Sequence, residues 1–241
     1  MGLLIAAGIT TALALGGFAM LLRRARDWRP LMLAFVIALP LQPLVFYAVR
    51  LPIDGMLRTT FGIASWVTIA SLFYAPLIEE PAKWLTAALP AVRRAIIADP
   101  IPLALAAGLG FGIGEIWFLA NALVKAPNYP DLPFTQFSGF MIERLSVCFL
   151  HGAFLVPPFY RLARGGSFLV GGLCGMVLHF LLNFPIYLAQ IDAFGWGARA
   201  WAMALVSWIF WCVFGCVGMV AVLAGRFKRW RSGAQSEATP P

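Results

Sequence analysis

Residues 200–225 read AWAMALVSWIFWCVFGCVGMVAVLAG, without one Asp, Glu, Lys, Arg or His, and RFKRWR follows at 226–231. At a rise of about 1.5 Å per residue such a stretch crosses the roughly 30 Å of hydrocarbon in a bilayer. The basic cluster behind it suits a helix end that meets anionic headgroups. Working outward from this run, whose full extent is 198–225, six more apolar runs stand at 3–22, 31–49, 61–89, 101–124, 139–163 and 167–190. The composition agrees, since 61% of the 241 residues are hydrophobic and 12% are charged, against about 25% charged in soluble domains. The expected fold is all-α: a polytopic membrane protein of seven transmembrane helices. One transmembrane domain would fill 1–225, with helices 3 to 6 (61–190) as its core, and 226–241 would be a basic, disordered cytoplasmic tail. Little is left for a soluble module.

The net charge of +8 would suit nucleic acid if it were spread over a soluble surface. It is instead sorted by connection, as expected where cytoplasmic loops collect Lys and Arg. Alternate connections carry Arg23, Arg24, Arg26, Arg29, then Arg93, Arg94, then Arg161, Arg164, then Arg226, Lys228, Arg229, Arg231. The other side has only Arg50, Arg58, Lys125 and Arg199. The N-terminus is therefore expected outside and the C-terminus inside, which requires an odd number of crossings. The first run lacks a basic start and is followed by its positive cluster, so it reads as a retained helix rather than a cleaved signal. Cys148, Cys174, Cys212 and Cys216 fall inside apolar runs with no zinc or redox spacing. They read as small core residues.

Asp27, Asp54, Asp99, Asp131 and Asp192 each fall in a different connection. The glutamates do not. Glu79, Glu80 and Glu115 lie within apolar runs and Glu143 near the start of one, as do the two histidines, His151 and His179. Ionisable groups at such depth cost on the order of 3 kcal/mol each and mark functional positions by default. Counted by helical rise, Glu79 is roughly 15 Å, Glu115 roughly 21 Å, and His151 and His179 roughly 18 Å from a helix end. Four consecutive helices thus bring polar groups to one level, while the first, second and seventh bring essentially none. Residues four or seven apart share a helix face. Glu79 with Lys83 is expected to pair on that ground, Arg144 faces the same way as His151, and Gly171, Gly175, His179 and Asn183 form one stripe. Pro76 and Pro81 leave the carbonyls of Leu72 and Leu77 without helical donors, which predicts a kink beside the glutamates. Gly108 with Gly112, and Gly110 with Gly114, allow close approach of neighbouring helices. Taken singly, Asn183 or a glycine pair is helix-packing glue, and Lys83 or Arg144 a snorkelling cation. Three deep glutamates and both histidines at one level call for a common purpose.

Carboxylates and imidazoles around a wet cavity activate water, as a general base or through a bound metal. The segment Glu79-Glu80-Pro81-Ala82-Lys83 resembles the EExxK motif of PrsW-type intramembrane proteases, relatives of the CAAX prenyl endopeptidases. Gly110-Phe111-Gly112-Ile113-Gly114-Glu115 is similar to the family's GFAxxE segment, Arg144 and His151 to its Arg and His helix, and His179 with Asn183 to its HxxxD motif. The family usually has Asn where this chain has Ile116, and Asp in place of Asn183. The resemblance spans residues 70–190 and implies an intramembrane endopeptidase with Glu79 as water-activating base and Glu80 in support. It implies that Glu115 and His151 orient the base or bind metal, that His179 and Asn183 steady the tetrahedral intermediate, and that Lys83 and Arg144 have supporting roles. Substrates would be membrane-spanning or membrane-associated peptides, such as anti-sigma factors, and the only other partner the lipid bilayer, with no nucleic acid. Two histidines and up to three glutamates suffice for zinc, with Glu79, Glu115, His151 and His179 as the available ligands. No HExxH pair is present, and Lys83 would repel a cation, so a metal-free mechanism is favoured. Two rivals are a proton- or cation-coupled carrier and an inactive protease-like scaffold. With three Lys among eighteen cations, the usage suggests a GC-rich bacterial source and hence the inner membrane.

Overall fold

The computed structural model describes residues 1–62, 65–126 and 132–237. Asp131, one of the expected outside positions, lies beyond the described residues, as do 238–241. The described residues form helices and no strand: α1 (Gly2–Arg24), α2 (Arg29–Val45), α3 (Leu51–Phe61), α4 (Ser65–Trp84), α5 (Pro90–Ala98), α6 (Pro100–Leu123), α7 (Ser138–Ala163), α8 (Phe168–Gln190) and α9 (Gly197–Glu237). A π-turn, Phe46–Arg50, joins α2 to α3. Among the described residues, six stretches are long and apolar enough to cross a membrane: 2–24, 29–61, 100–123, 134–163, 168–190 and 197–233. The chain is a polytopic helical membrane protein.

The helix boundaries differ from the sequence expectation in three places. α4, the third expected span, has 20 residues, enough length for a crossing, but it is not among the six. Glu79, Glu80 and Lys83 lower its hydropathy, so α4 is less apolar than the six. The second span does not end at 49 in a loop, because the backbone stays helical through the π-turn and α3 to Phe61. The expected unstructured tail is likewise helical from 226 to Glu237, where α9 continues without a break.

α6 is the central helix. Two glycine pairs explain why its neighbours sit so close. A Cβ on Gly108 would lie 2.0 Å from the Gly152 nitrogen of α7, and one on Gly112 2.6 Å from the Cys148 Cα. On the opposite face, Cβ atoms on Gly110 and Gly114 would each lie 2.2 Å from a carbonyl oxygen of α2, those of Phe35 and Leu39. The two expected small-residue surfaces therefore serve two different neighbours. α8 joins by the same device, since Gly171 and Gly175 meet the backbone of Pro157, Pro158 and Phe154 on α7. Trp84, the last residue of α4, lies against Gly172. This closes a four-helix cluster of α4, α6, α7 and α8, with α1 and α2 behind it. α9 is peripheral, with only 6% of its most apolar stretch buried.

The basic connections meet at one end of the bundle. Arg231 donates to the Ala98 carbonyl, one cavity is lined jointly by Arg26, Arg94 and Arg231, and the Arg164 guanidinium lies 5.0 Å from the Trp230 ring centroid. At the other end Gly2 abuts the backbone of Leu132 to Phe134. Of the four cysteines, Cys148 and Cys216 are buried and Cys212 is half-buried, as expected of core residues. Cys174 is exposed, in an open groove that it lines with residues of α7 and α9.

Candidate active site

The polar groups of α4, α6, α7 and α8 converge, and each contact links the next into one chain. Glu79 Oε1 accepts from Arg50 Nη1 at 2.9 Å. Glu79 Oε2 stands 3.8 Å from His179 Nε2, too far for a hydrogen bond. His179 Nδ1 is 2.7 Å from Glu80 Oε1, the same oxygen that accepts from Lys83 Nζ at 2.5 Å. Lys83 Nζ reaches His151 Nδ1 at 3.1 Å, and His151 Nε2 reaches Glu115 Oε2 at 2.8 Å. Glu115 Oε1 then pairs with Arg144 Nη1 at 3.0 Å, and Arg144 Nη2 with Glu143 at 2.5 Å.

The donors fix the tautomers. An ammonium only donates, so His151 Nδ1 accepts from Lys83 and Nε2–H donates to Glu115, which uses both ring nitrogens. A carboxylate only accepts, so His179 gives Nδ1–H to Glu80. Its Nε2 is left facing Glu79, an acceptor when the ring is neutral and a donor when it is protonated. The rings are wedged in place, with His151 edge-on to Phe111 at 5.0 Å and His179 stacked on Phe154 at 5.5 Å. Lys83 Nζ lies 5.2 and 5.8 Å from the same two phenylalanine rings, within cation–π range.

Burial grades along the chain. Glu80 and Lys83 are wholly inaccessible, while the side chains of Glu79, Glu115 and Arg50 are 8%, 17% and 24% exposed. Glu80 and Lys83 are therefore the fixed interior, and Glu79 stands at its accessible margin. Glu80 Oε2 is buried with no hydrogen bond among the described residues. Glu80, His151 and His179 each present one ligand atom within 4.8 Å of the others, so a metal would draw on these three. Lys83 already bonds two of them and holds the positive charge that such an ion would bring.

Glu79, Glu80, Lys83, Glu115, Arg144, His151 and His179 are thus brought together, but two details differ from the sequence expectation. Lys83 pairs with Glu80, three residues before it, and not with Glu79. Both spacings lie on one helix face, and the partner is decided by His151 and His179, which draw Lys83 and Glu80 inward. Asn183, one turn beyond His179, is half-buried and its side chain makes no hydrogen bond among the described residues. Ile116 is fully buried in the apolar core, where its side chain fills space. The residue missed by sequence reasoning is Arg50. It counts as a topological charge in a loop, whereas the π-turn carries it to Glu79. π-bulges recur at functional sites, and Pro40 and Pro43 inside α2 were the available signal that this helix would not run regularly.

No family model, no curated protein and no solved structure matches this chain.

Proposed function

We propose that the protein is an intramembrane endopeptidase that hydrolyses a peptide bond of membrane-embedded or membrane-associated substrates without a metal. The observation that carries this reading is the gap between Glu79 Oε2 and His179 Nε2. At 3.8 Å it is too long for direct bonding and short enough for one water to bridge. Arg50 pins the far oxygen of Glu79, and Glu80 orients His179 from behind, as a buried carboxylate orients a catalytic imidazole. A water beside this gap, bonded to Glu79 Oε2, loses its proton to Glu79 as its oxygen attacks the scissile carbonyl. Glu79 then returns that proton to the leaving nitrogen, and His179, when its ring is protonated, donates from Nε2 to the oxyanion. Lys83 fixes Glu80 through its hydrogen bond, while Arg144 and Glu115 hold His151 upright against Lys83. The resemblance of these residues to the PrsW-type motifs agrees with these roles, except that Asn183 stands apart from them.

Carrier activity is the weaker reading. Beyond His151 toward the basic end, α7 offers only Gly152 to Phe159, buried and apolar, so among the described residues this helix does not carry the chain onward. We further propose seven crossings with α4 as the third, the N-terminus outside and the C-terminus in the cytoplasm of a bacterial inner membrane. The meeting of the basic connections at one end, with Gly2 at the other, supports this arrangement. The test is to incubate the purified chain in liposomes with a library of single-span peptides and to identify new termini by mass spectrometry. Cleavage that survives exhaustive chelation supports the metal-free site, and cleavage lost on chelation and restored by zinc contradicts it.

A further inference from the structure

We propose that the basic end of the bundle holds a specific site for one anionic phospholipid, in the groove between α7, α8 and α9. A cavity of about 540 Å³ lies there. Its head is built from Arg161 and Arg164 at the end of α7 and Arg226 on α9, and no acid lines it. Its lower wall is apolar: Val170 and Cys174 on α8, Met219 and Leu223 on α9. Each pair is one helical turn apart, and both run from the arginines toward the middle of their helices. A phosphate on the guanidiniums would therefore send its acyl chain down a groove already facing lipid.

The head is also held rigid. Gly165, at φ +70°, occupies the left-handed region that favours glycine and turns the chain sharply from α7 to Ser167, which caps α8 through Val170. Arg164 donates to the Tyr160 hydroxyl at 3.2 Å and stacks over Trp230. A guanidinium placed in advance loses less freedom when it binds phosphate. Each cation near an anionic membrane surface is worth roughly a fivefold preference, so three together give on the order of a hundredfold.

Cys174 supplies the probe, being the exposed cysteine and lying in the groove. With the full chain in detergent, maleimide modification of Cys174, mapped by peptide mass, is followed with added phosphatidylglycerol, phosphatidylcholine, glycerol phosphate or inorganic phosphate. Phosphatidylglycerol alone is expected to slow the reaction severalfold. The triple variant Arg161→Gln, Arg164→Gln, Arg226→Gln should lose that protection, and Arg23→Gln, Arg24→Gln, Arg229→Gln, which removes equal charge outside the groove, should keep it. Equal protection by both lipids, equal loss in both variants, or protection by glycerol phosphate or inorganic phosphate to the same degree would each overturn the assignment. Native mass spectrometry of the unmodified protein decides the matter even if the triple variant fails to fold. Retention of one phosphatidylglycerol in preference to phosphatidylcholine is expected, and no preference refutes the site.

Discussion

Replacing Lys83 by Met removes the one ammonium bonded to Glu80, in a place where neither group reaches solvent. Breaking a buried pair by deleting one partner costs about 3–5 kcal/mol, because the remaining charge is left uncompensated. His151 Nδ1 loses its donor in the same step. For a chain of this size each kcal/mol moves the melting temperature by about 2–4 °C, so the variant should melt roughly 6–20 °C lower. Removing both charges, as Glu80→Gln with Lys83→Met, leaves neutral groups of similar volume, and such replacements are commonly neutral. The double variant should therefore recover more than half of the loss. The assay is thermal unfolding of purified protein in one detergent at pH 7, followed by tryptophan fluorescence. A Lys83→Met protein that melts with the wild type would show that the ammonium is not the counter-charge of Glu80. A double variant showing the sum of the two single losses would refute the pairing itself.

Gly108→Ala should abolish accumulation of folded protein, since its Cβ meets the Gly152 backbone, while Gly16→Ala, with nothing within 4 Å, should leave expression and melting unchanged. Burial pushes the Asp99 carboxyl above its ordinary value of 3.8, with Arg231 and Lys228 opposing, so the folded state holds this proton more tightly than the unfolded chain does. Ionising Asp99 therefore costs stability, a cost absent below 3.8 and fully present above the raised value. Asp99→Asn escapes it and should melt higher than the wild type at neutral pH, with the gap closing as pH falls toward 3.8; a gap that widens in acid reverses the sign. Cysteines placed at 54 and 94 should react with an impermeant maleimide from opposite faces of the membrane, the first from outside, and labelling of position 94 from outside would invert the proposed topology.

Much of the site could be read before the fold was known, because burying an ionisable group is costly enough that each one stands out in an apolar run. Glu115, His151 and His179 were placed at a common level by helical rise alone, and the glycine pairs of α6 announced its close neighbours. Pairing within a turn was less legible. Spacings of three and four share a face, so only the packing of α7 and α8 shows that Lys83 belongs to Glu80 while Glu79 turns to Arg50. Arg50 itself escaped because a cation following an apolar run is ordinarily topological, and Pro40 and Pro43 signal an irregular helix without showing where it carries Arg50. Asn183 shares the stripe with His179 one turn further on, where it is half-buried and its side chain makes no hydrogen bond among the described residues.

The most direct test of the central claim places wild-type and Glu79→Gln protein in liposomes with a single-span peptide that the wild type cleaves, and follows both cleavage and proton flux. Removing a general base costs about 10²- to 10⁴-fold. The predicted result is cleavage lowered by that factor in Glu79→Gln, at an unchanged melting temperature and with no flux from either protein. Cleavage that persists in Glu79→Gln, or a proton flux in the wild type that this substitution removes, would contradict it.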